Sequence, residues 1–120
     1  MSEKNLGIIG GGQLGSMLCT AAKKLNIKTT IYCDDIDAPA QNFCNEFILG
    51  NYNDKEKILE FVSKVQMITY EFENIPFETL NEMNKSKPVL PKPSVNRLIQ
   101  HRLAEKDFVN KLNIRTTRYV

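Results

Sequence analysis

The sequence predicts an α/β fold, a parallel sheet flanked by helices, on three observations. Short apolar runs rich in β-branched residues alternate with stretches whose apolar residues recur at helical spacing. The first run, Lys4 to Ile9, is continuously apolar toward its end rather than alternating, which suits a strand buried on both faces. From that run to the next, at Ile27 to Tyr32, the chain has the length of a strand, a crossover helix and a second parallel strand, about thirty residues.

Each element has its own warrant. Lys4 to Ile9 ends at glycines, where a strand must stop or turn. Leu14, Met17, Leu18, Ala21, Ala22 and Leu25 then recur at i, i+3, i+4, i+7, i+8 and i+11, a helix with one apolar stripe. Ile27 to Tyr32 reads as the second strand, and Phe47 to Leu49 as a shorter third one entered after a loop containing Pro39. Asn53 followed by Glu56 has capping-box spacing ahead of Ile58, Phe61, Val62 and Val65, which together mark a helix. Val65 to Tyr70 is the fourth strand, and Pro76 suits the first turn of the helix after it. Pro88 to Leu90, set between prolines, reads as a short edge strand, where a missing N–H does least harm. Ser94 opens a helical stretch through Leu98 and Ile99, and Phe108, Val109 and Leu112 carry the last helix. Thr116 to Val120 resumes an extended pattern and stops without partner or cap, as a cut end does.

Composition narrows the function. With 120 residues, 42% of them hydrophobic, the chain has enough apolar material for one ordinary core. Sixteen Lys and Arg against 14 Asp and Glu leave a net charge of +2, which does not indicate a general nucleic-acid or membrane-surface binder. Three cysteines without C-x-x-C spacing and a single histidine, His101, suggest neither a disulfide framework nor a zinc site. Buried, reduced thiols in a cytoplasmic protein are the expectation. No apolar run approaches the roughly 20 residues of a membrane span, and Gly10 to Gln13 interrupts what could have been a signal-peptide core.

Two constellations carry chemistry. Gly10, Gly12 and Gly15 satisfy G-x-G-x-x-G between a strand and an amphipathic helix. The first glycine can turn tightly, the second admits an anion to the backbone, and the third lets the helix approach the strand. The helix start offers free N–H groups and about half a positive charge, so phosphate is the natural guest; a purely structural turn is the alternative. Asp34 and Asp35, about twenty residues on, stand where a dinucleotide-binding domain keeps its ribose-binding acid, although Asp-Asp ahead of Asp37-Ala38-Pro39 is equally ordinary turn chemistry. An NAD(P)-binding domain of an oxidoreductase is therefore one reading.

The second constellation argues for another. Glu71 and Glu73 lie two residues apart where the fourth strand runs out, on one side of an extended segment, with Tyr70 and Phe72 on the other. Ligands of open α/β sheets sit beyond the carboxyl ends of the strands, where strand order reverses. If the first and fourth strands are neighbours there, the glycine loop and Glu71 line one crevice, suited to a ligand with phosphate at one end and an amine or hydroxyls at the other. The plainer alternative is a solvated strand end, with Glu73 favouring the start of the next helix. A non-catalytic interaction domain is a third reading, in which exposed apolar surface seeks a partner.

With these pieces in hand, the sequence resembles the N-terminal part of the N5-carboxyaminoimidazole ribonucleotide synthetases, the ATP-grasp enzymes of purine biosynthesis. The stretches that carry the resemblance are IIGGGQLGSML, DIDAPA, ITYEFENIP and PSVNRLIQHRLAEKDFVNKLNI, in the family's order over nearly the whole chain. ITYEFENIP after GGGQLG is specific, whereas either alone is not. The resemblance implies a Rossmann-like pre-ATP-grasp domain over 1–92, then a helical linker and the start of the ATP-grasp region over 93–120. It implies a ligase that uses ATP, with magnesium, to activate bicarbonate and carboxylate the exocyclic amine of 5-aminoimidazole ribonucleotide. By similarity to this family and to the formate-dependent glycinamide ribonucleotide transformylase, Gly12, Gln13 and Leu14 at the loop, with Glu71 and Glu73, would bind the ribonucleotide. The 5′-phosphate would be the anion, and Glu71 would accept from ribose hydroxyls or the amine. Arg102, matching the family's D-R-L segment, would meet ATP phosphate at the edge of that site. Two departures stand out: Ser16 where the family commonly has Arg or Lys, and His101 where an Asp commonly precedes the arginine. The lid, the metal-binding acids and the bicarbonate site of the family lie after the point where this chain stops. The implied fragment has no catalytic residue or metal ligand of its own and is expected not to turn over. Dimers occur in the family.

Overall fold

The central strand of the sheet is β1 (Asn5–Ile9), and its last three residues are buried, as a continuously apolar run requires. In the computed structural model of the chain, residues 4–72, 74–100 and 102–114 are described, those at 99–100 and 102–104 by backbone alone. β1 pairs in parallel with β2 (Lys28–Cys33) on one side and with β4 (Met67–Tyr70) on the other, and β3 (Glu46–Leu49) pairs with β2. The order is β3-β2-β1-β4, a Rossmann-like parallel sheet whose strand order reverses between β1 and β4. The proline-flanked segment adds a bridge outside β4. Ile68 N donates to Pro88 O at 2.8 Å, and Leu90 N donates to Ile68 O at 2.9 Å.

Alternation along the strands feeds two cores. Ile8 and Ile31 face one side, with Cys19, Ala38 and Ala40. Ile9, Tyr32 and Ile68 face the other, beneath Phe61 and Val62 of α2 (Lys55–Lys64) and Leu80 and Met83 of α3 (Phe77–Asn84). Tyr32 is wholly buried, and its hydroxyl donates to Asn51 O at 2.5 Å. Helices α4 (Pro93–Gln100) and α5 (Arg102–Lys111) follow.

Four local expectations change. Most of the apolar stripe of α1 (Gln13–Lys24) is not its buried face: of the stripe only Ala22 is buried, beside Gly15 and Cys19, while Leu14 and Met17 are 58% and 59% exposed. The helix lies so close to the loop that a Cβ on Gly15 would stand 3.0 Å from Gly10 O, so only small residues fit beneath it. The cap of α2 is Asp54, not Asn53: Asp54 Oδ1 accepts from Lys57 N at 3.2 Å, which places Glu56 one residue too early to close a reciprocal box. Val65 ends α2 instead of opening β4, and Pro76, with extended ψ of 135°, is the N-cap of α3 rather than a first-turn residue. The loop after β2 contains a 3₁₀ turn, Pro39–Asn42, whose Ala40 N donates to Gly11 O at 2.9 Å. Glu73, His101 and Thr116–Val120 lie outside the described residues, as does the side chain of Arg102.

Candidate functional site

The site begins with the turn after β1. Gly10 N donates to Tyr32 O at 2.9 Å, which continues the ladder one residue beyond the strand, and the backbone then turns at a φ of 104°. Few side chains adopt that conformation, and a Cβ there would lie 2.7 Å from Glu71 Oε1. Gly12 is the N-cap of α1 and has no side chain with which to cap it. The cap comes instead from across the sheet: Gly12 N donates to Glu71 Oε1 at 2.9 Å.

Glu71 reaches that position because β1 and β4 are neighbours. Ile9 pairs with Tyr70, and Glu71 N donates to Ile9 O at 3.0 Å, so the acid leaves the sheet directly beside the loop. The partly buried carboxylate thus sits at the positive end of α1 and accepts a backbone N–H there. Gly12's amide is consequently engaged with a carboxylate, and an incoming anion would meet both the remaining first-turn N–H groups and that negative charge. The arrangement favours a ligand that brings a cationic or hydroxyl donor to Glu71 and its anionic end farther along the helix start.

A cleft of about 600 Å³ opens beside Glu71. Leu14, Met17, Leu18 and Ala21 of α1 form one wall, and Tyr70, Pro91, Val95 and Asn96 complete it. The exposed stripe of α1 is therefore the lining of this cleft. Of the residues that the sequence nominates, Gly12, Leu14 and Glu71 come together here, and Gln13 stands at the first position of α1 between two of them. Asn96 escapes notice in the sequence, because an asparagine within a helix carries no spacing signal. Tyr70, which strand alternation sets on the side away from Glu71, nevertheless lines the same cleft, since β4 ends at Tyr70 and Glu71 lies beyond the regular strand.

Asp34 does not join them. It lines a separate recess of about 420 Å³ with Gly50, Asn51 and Asp54. Asp35 Oδ1 accepts from Asp37 N at 2.9 Å, the turn chemistry that the sequence offered as the alternative. Burial, followed by the nearby Cys33 and Asp34, holds the Tyr52 phenol well above its usual range. Burial also raises the thiols of Cys19 and Cys44, and all three cysteines are free. Among the described residues, no group of three His, Cys, Asp or Glu side chains could hold a metal ion, and no helix is long and apolar enough to cross a membrane.

Comparison with known proteins places this geometry in a family. Residues 3–100 match the model of the ribonucleotide synthetase preATP-grasp domain. The chain belongs to that family. The preATP-grasp domain is 38% identical over 111 residues to an N5-carboxyaminoimidazole ribonucleotide synthase of Brucella melitensis, covering 92% of this chain and 31% of the relative. Among solved structures it superposes on an N5-carboxyaminoimidazole ribonucleotide synthetase from Thermus thermophilus with a TM-score of 0.88 at 33% identity, over 92% of this chain and 31% of that one. The Aspergillus clavatus N5-carboxyaminoimidazole synthase, solved with ADP and 5-aminoimidazole ribonucleotide, aligns with a TM-score of 0.84 at 25% identity, over 97% of this chain and 31% of that one. The chain thus spans about 31% of the length of these relatives. They do not favour an oxidoreductase.

Proposed function

We propose that the preATP-grasp domain binds the ribonucleotide in an ATP-dependent carbon–nitrogen ligase that carboxylates 5-aminoimidazole ribonucleotide to N5-carboxyaminoimidazole ribonucleotide, with bicarbonate as the carbon source, in purine biosynthesis. The observation that carries this reading is the bond from Gly12 N to Glu71 Oε1, which joins the glycine loop and the acid into one crevice. The names of the relatives supply the reaction, and the Aspergillus complex supplies the ligand. In this reading Glu71 accepts hydrogen bonds from ribose hydroxyls or the amine, and the 5′-phosphate takes the amides of Gln13 and Leu14, whose N–H groups have no partner within their own helix. Gly12 serves by fixing Glu71, and Glu73 is assigned to ribonucleotide binding by the family resemblance alone.

ATP and magnesium are assigned mainly to the length of the relatives beyond this chain, with Arg102 at the edge of the ATP site and residues 93–120 leading toward it. ATP supplies the phosphoryl group that activates bicarbonate; the residues described here bind and orient the acceptor. The whole protein is read as cytoplasmic, and a homodimer, which the family suggests, would appear as a doubled mass in sedimentation.

Calorimetric titration with 5-aminoimidazole ribonucleotide tests the site. Glu71→Gln should weaken binding about tenfold or more, since it removes the charged acceptor. Equal affinity in the variant would remove Glu71 from the site. A second measurement is ATP hydrolysis stimulated by the ribonucleotide, which should be blank for residues 1–120; turnover by this chain would mean that the active site has been misplaced.

A further inference from the structure

The cleft beside Glu71 holds polar groups that the phosphate and ribose contacts leave unused. Asn96 is wholly buried, and neither its Oδ1 nor its Nδ2 has a hydrogen-bond partner; the hydroxyl of Tyr70 is likewise buried and unpartnered. Both residues line the cleft, and the remaining walls are almost entirely aliphatic. Native interiors pair nearly all such groups, because an orphaned amide carries its full desolvation penalty. A leucine would fill position 96 without that penalty. Two orphaned side chains in the wall of one cleft therefore mark a place where the partner arrives with the ligand.

We propose that Asn96 and Tyr70 form a specificity subsite for the heterocyclic end of the ribonucleotide. The proposal rests on the ribonucleotide reading of this cleft. An aminated five-membered ring is flat and apolar on its faces, which suits Leu14, Leu18 and Val95. Its edge offers an amine as donor and an unprotonated ring nitrogen as acceptor. A carboxamide supplies the complement of both, and Tyr70 adds a phenolic hydroxyl, protonated at neutral pH and able to donate. These atoms are closed off from water in the structure, so the cleft wall must open slightly as the ring enters.

The test titrates the 120-residue chain with 5-aminoimidazole ribonucleotide and, separately, with ribose 5-phosphate, which lacks the ring. Wild type, Asn96→Leu and Tyr70→Phe are compared, and each is melted without ligand. Wild type should prefer the ribonucleotide. Asn96→Leu should lose about tenfold or more in ribonucleotide affinity, keep its ribose 5-phosphate affinity, and melt at the same temperature or a few degrees higher. Tyr70→Phe should shift preference in the same direction by a smaller factor and serves as the independent probe if Asn96→Leu does not fold. Undiminished preference for the ribonucleotide in the folded variants overturns the subsite. A wild-type chain that binds ribose 5-phosphate equally well also overturns it and leaves the phosphate contact standing, whereas a chain that binds neither ligand overturns the ribonucleotide reading itself.

Discussion

Gly10 and Glu71 depend on each other. The backbone at Gly10 has a φ of 104°, and the space that a side chain would take is filled by the Glu71 carboxylate, 2.7 Å from an added Cβ. Gly10→Ala meets both conditions at once, backbone strain and a clash with the residue that caps α1. It should cost about 1–3 kcal/mol in urea denaturation and also weaken ribonucleotide binding, because Glu71 must move. Glu71→Gln separates the two effects. Its amide oxygen can still accept from Gly12 N, so its stability should stay within about 1 kcal/mol of wild type while its binding falls. A Gly10→Ala variant with wild-type stability would mean that the turn relaxes at no cost.

Among the elements, α1 shows what periodicity can and cannot report. The residues at helical spacing are correctly read as a helix, but the face that meets the sheet is the one bearing Gly15, Cys19 and Ala22. Hydropathy ranks leucine above glycine for burial; close packing against Gly10 O reverses that order, since the inter-element gap leaves no room for a branched side chain. The larger residues were then free to line a cleft. α2 shows a smaller displacement of the same kind, a cap shifted by one residue because Asp54, not Asn53, aims at Lys57 N. Asp54→Ala should cost about 1 kcal/mol, against a negligible change for Asn53→Ala, and urea midpoints of the two variants decide which residue is the cap.

Across the whole molecule the tyrosines set a pH limit. Burial, with Asp54 and Asp34 nearby, pushes Tyr32 up to about 12, and burial also raises Tyr52 and Tyr70. All three phenols are neutral in both folded and unfolded chains below about pH 10, the unfolded value, so their full contribution is present there. Above it the unfolded chain releases protons that the folded chain retains, and stability falls by up to about 1.4 kcal/mol per pH unit for each such phenol until the folded value is reached. The raised thiols of Cys19 and Cys44 act in the same sense, beginning near their ordinary value of 9.0. Urea midpoints should therefore decline steeply between about pH 9 and 12, and a flat profile across that range would contradict the burial of these groups.

Local and periodic information determined which segments are strands and helices, that the sheet is parallel, and that a glycine turn precedes a helix start. These depend on neighbours within a few residues, as Ile9 ending at Gly10 or the adjacent Phe61 and Val62 on the stripe of α2 illustrate. The family, too, was legible from ITYEFENIP after GGGQLG. Folding alone decided that Glu71 caps α1 from 59 residues away, that Asp34 belongs to a different recess, and that Asn96 is buried beside the cleft. Those outcomes depend on strand order and on how closely a helix can approach a sheet, and both are settled by packing between parts of the chain that no sequence window contains.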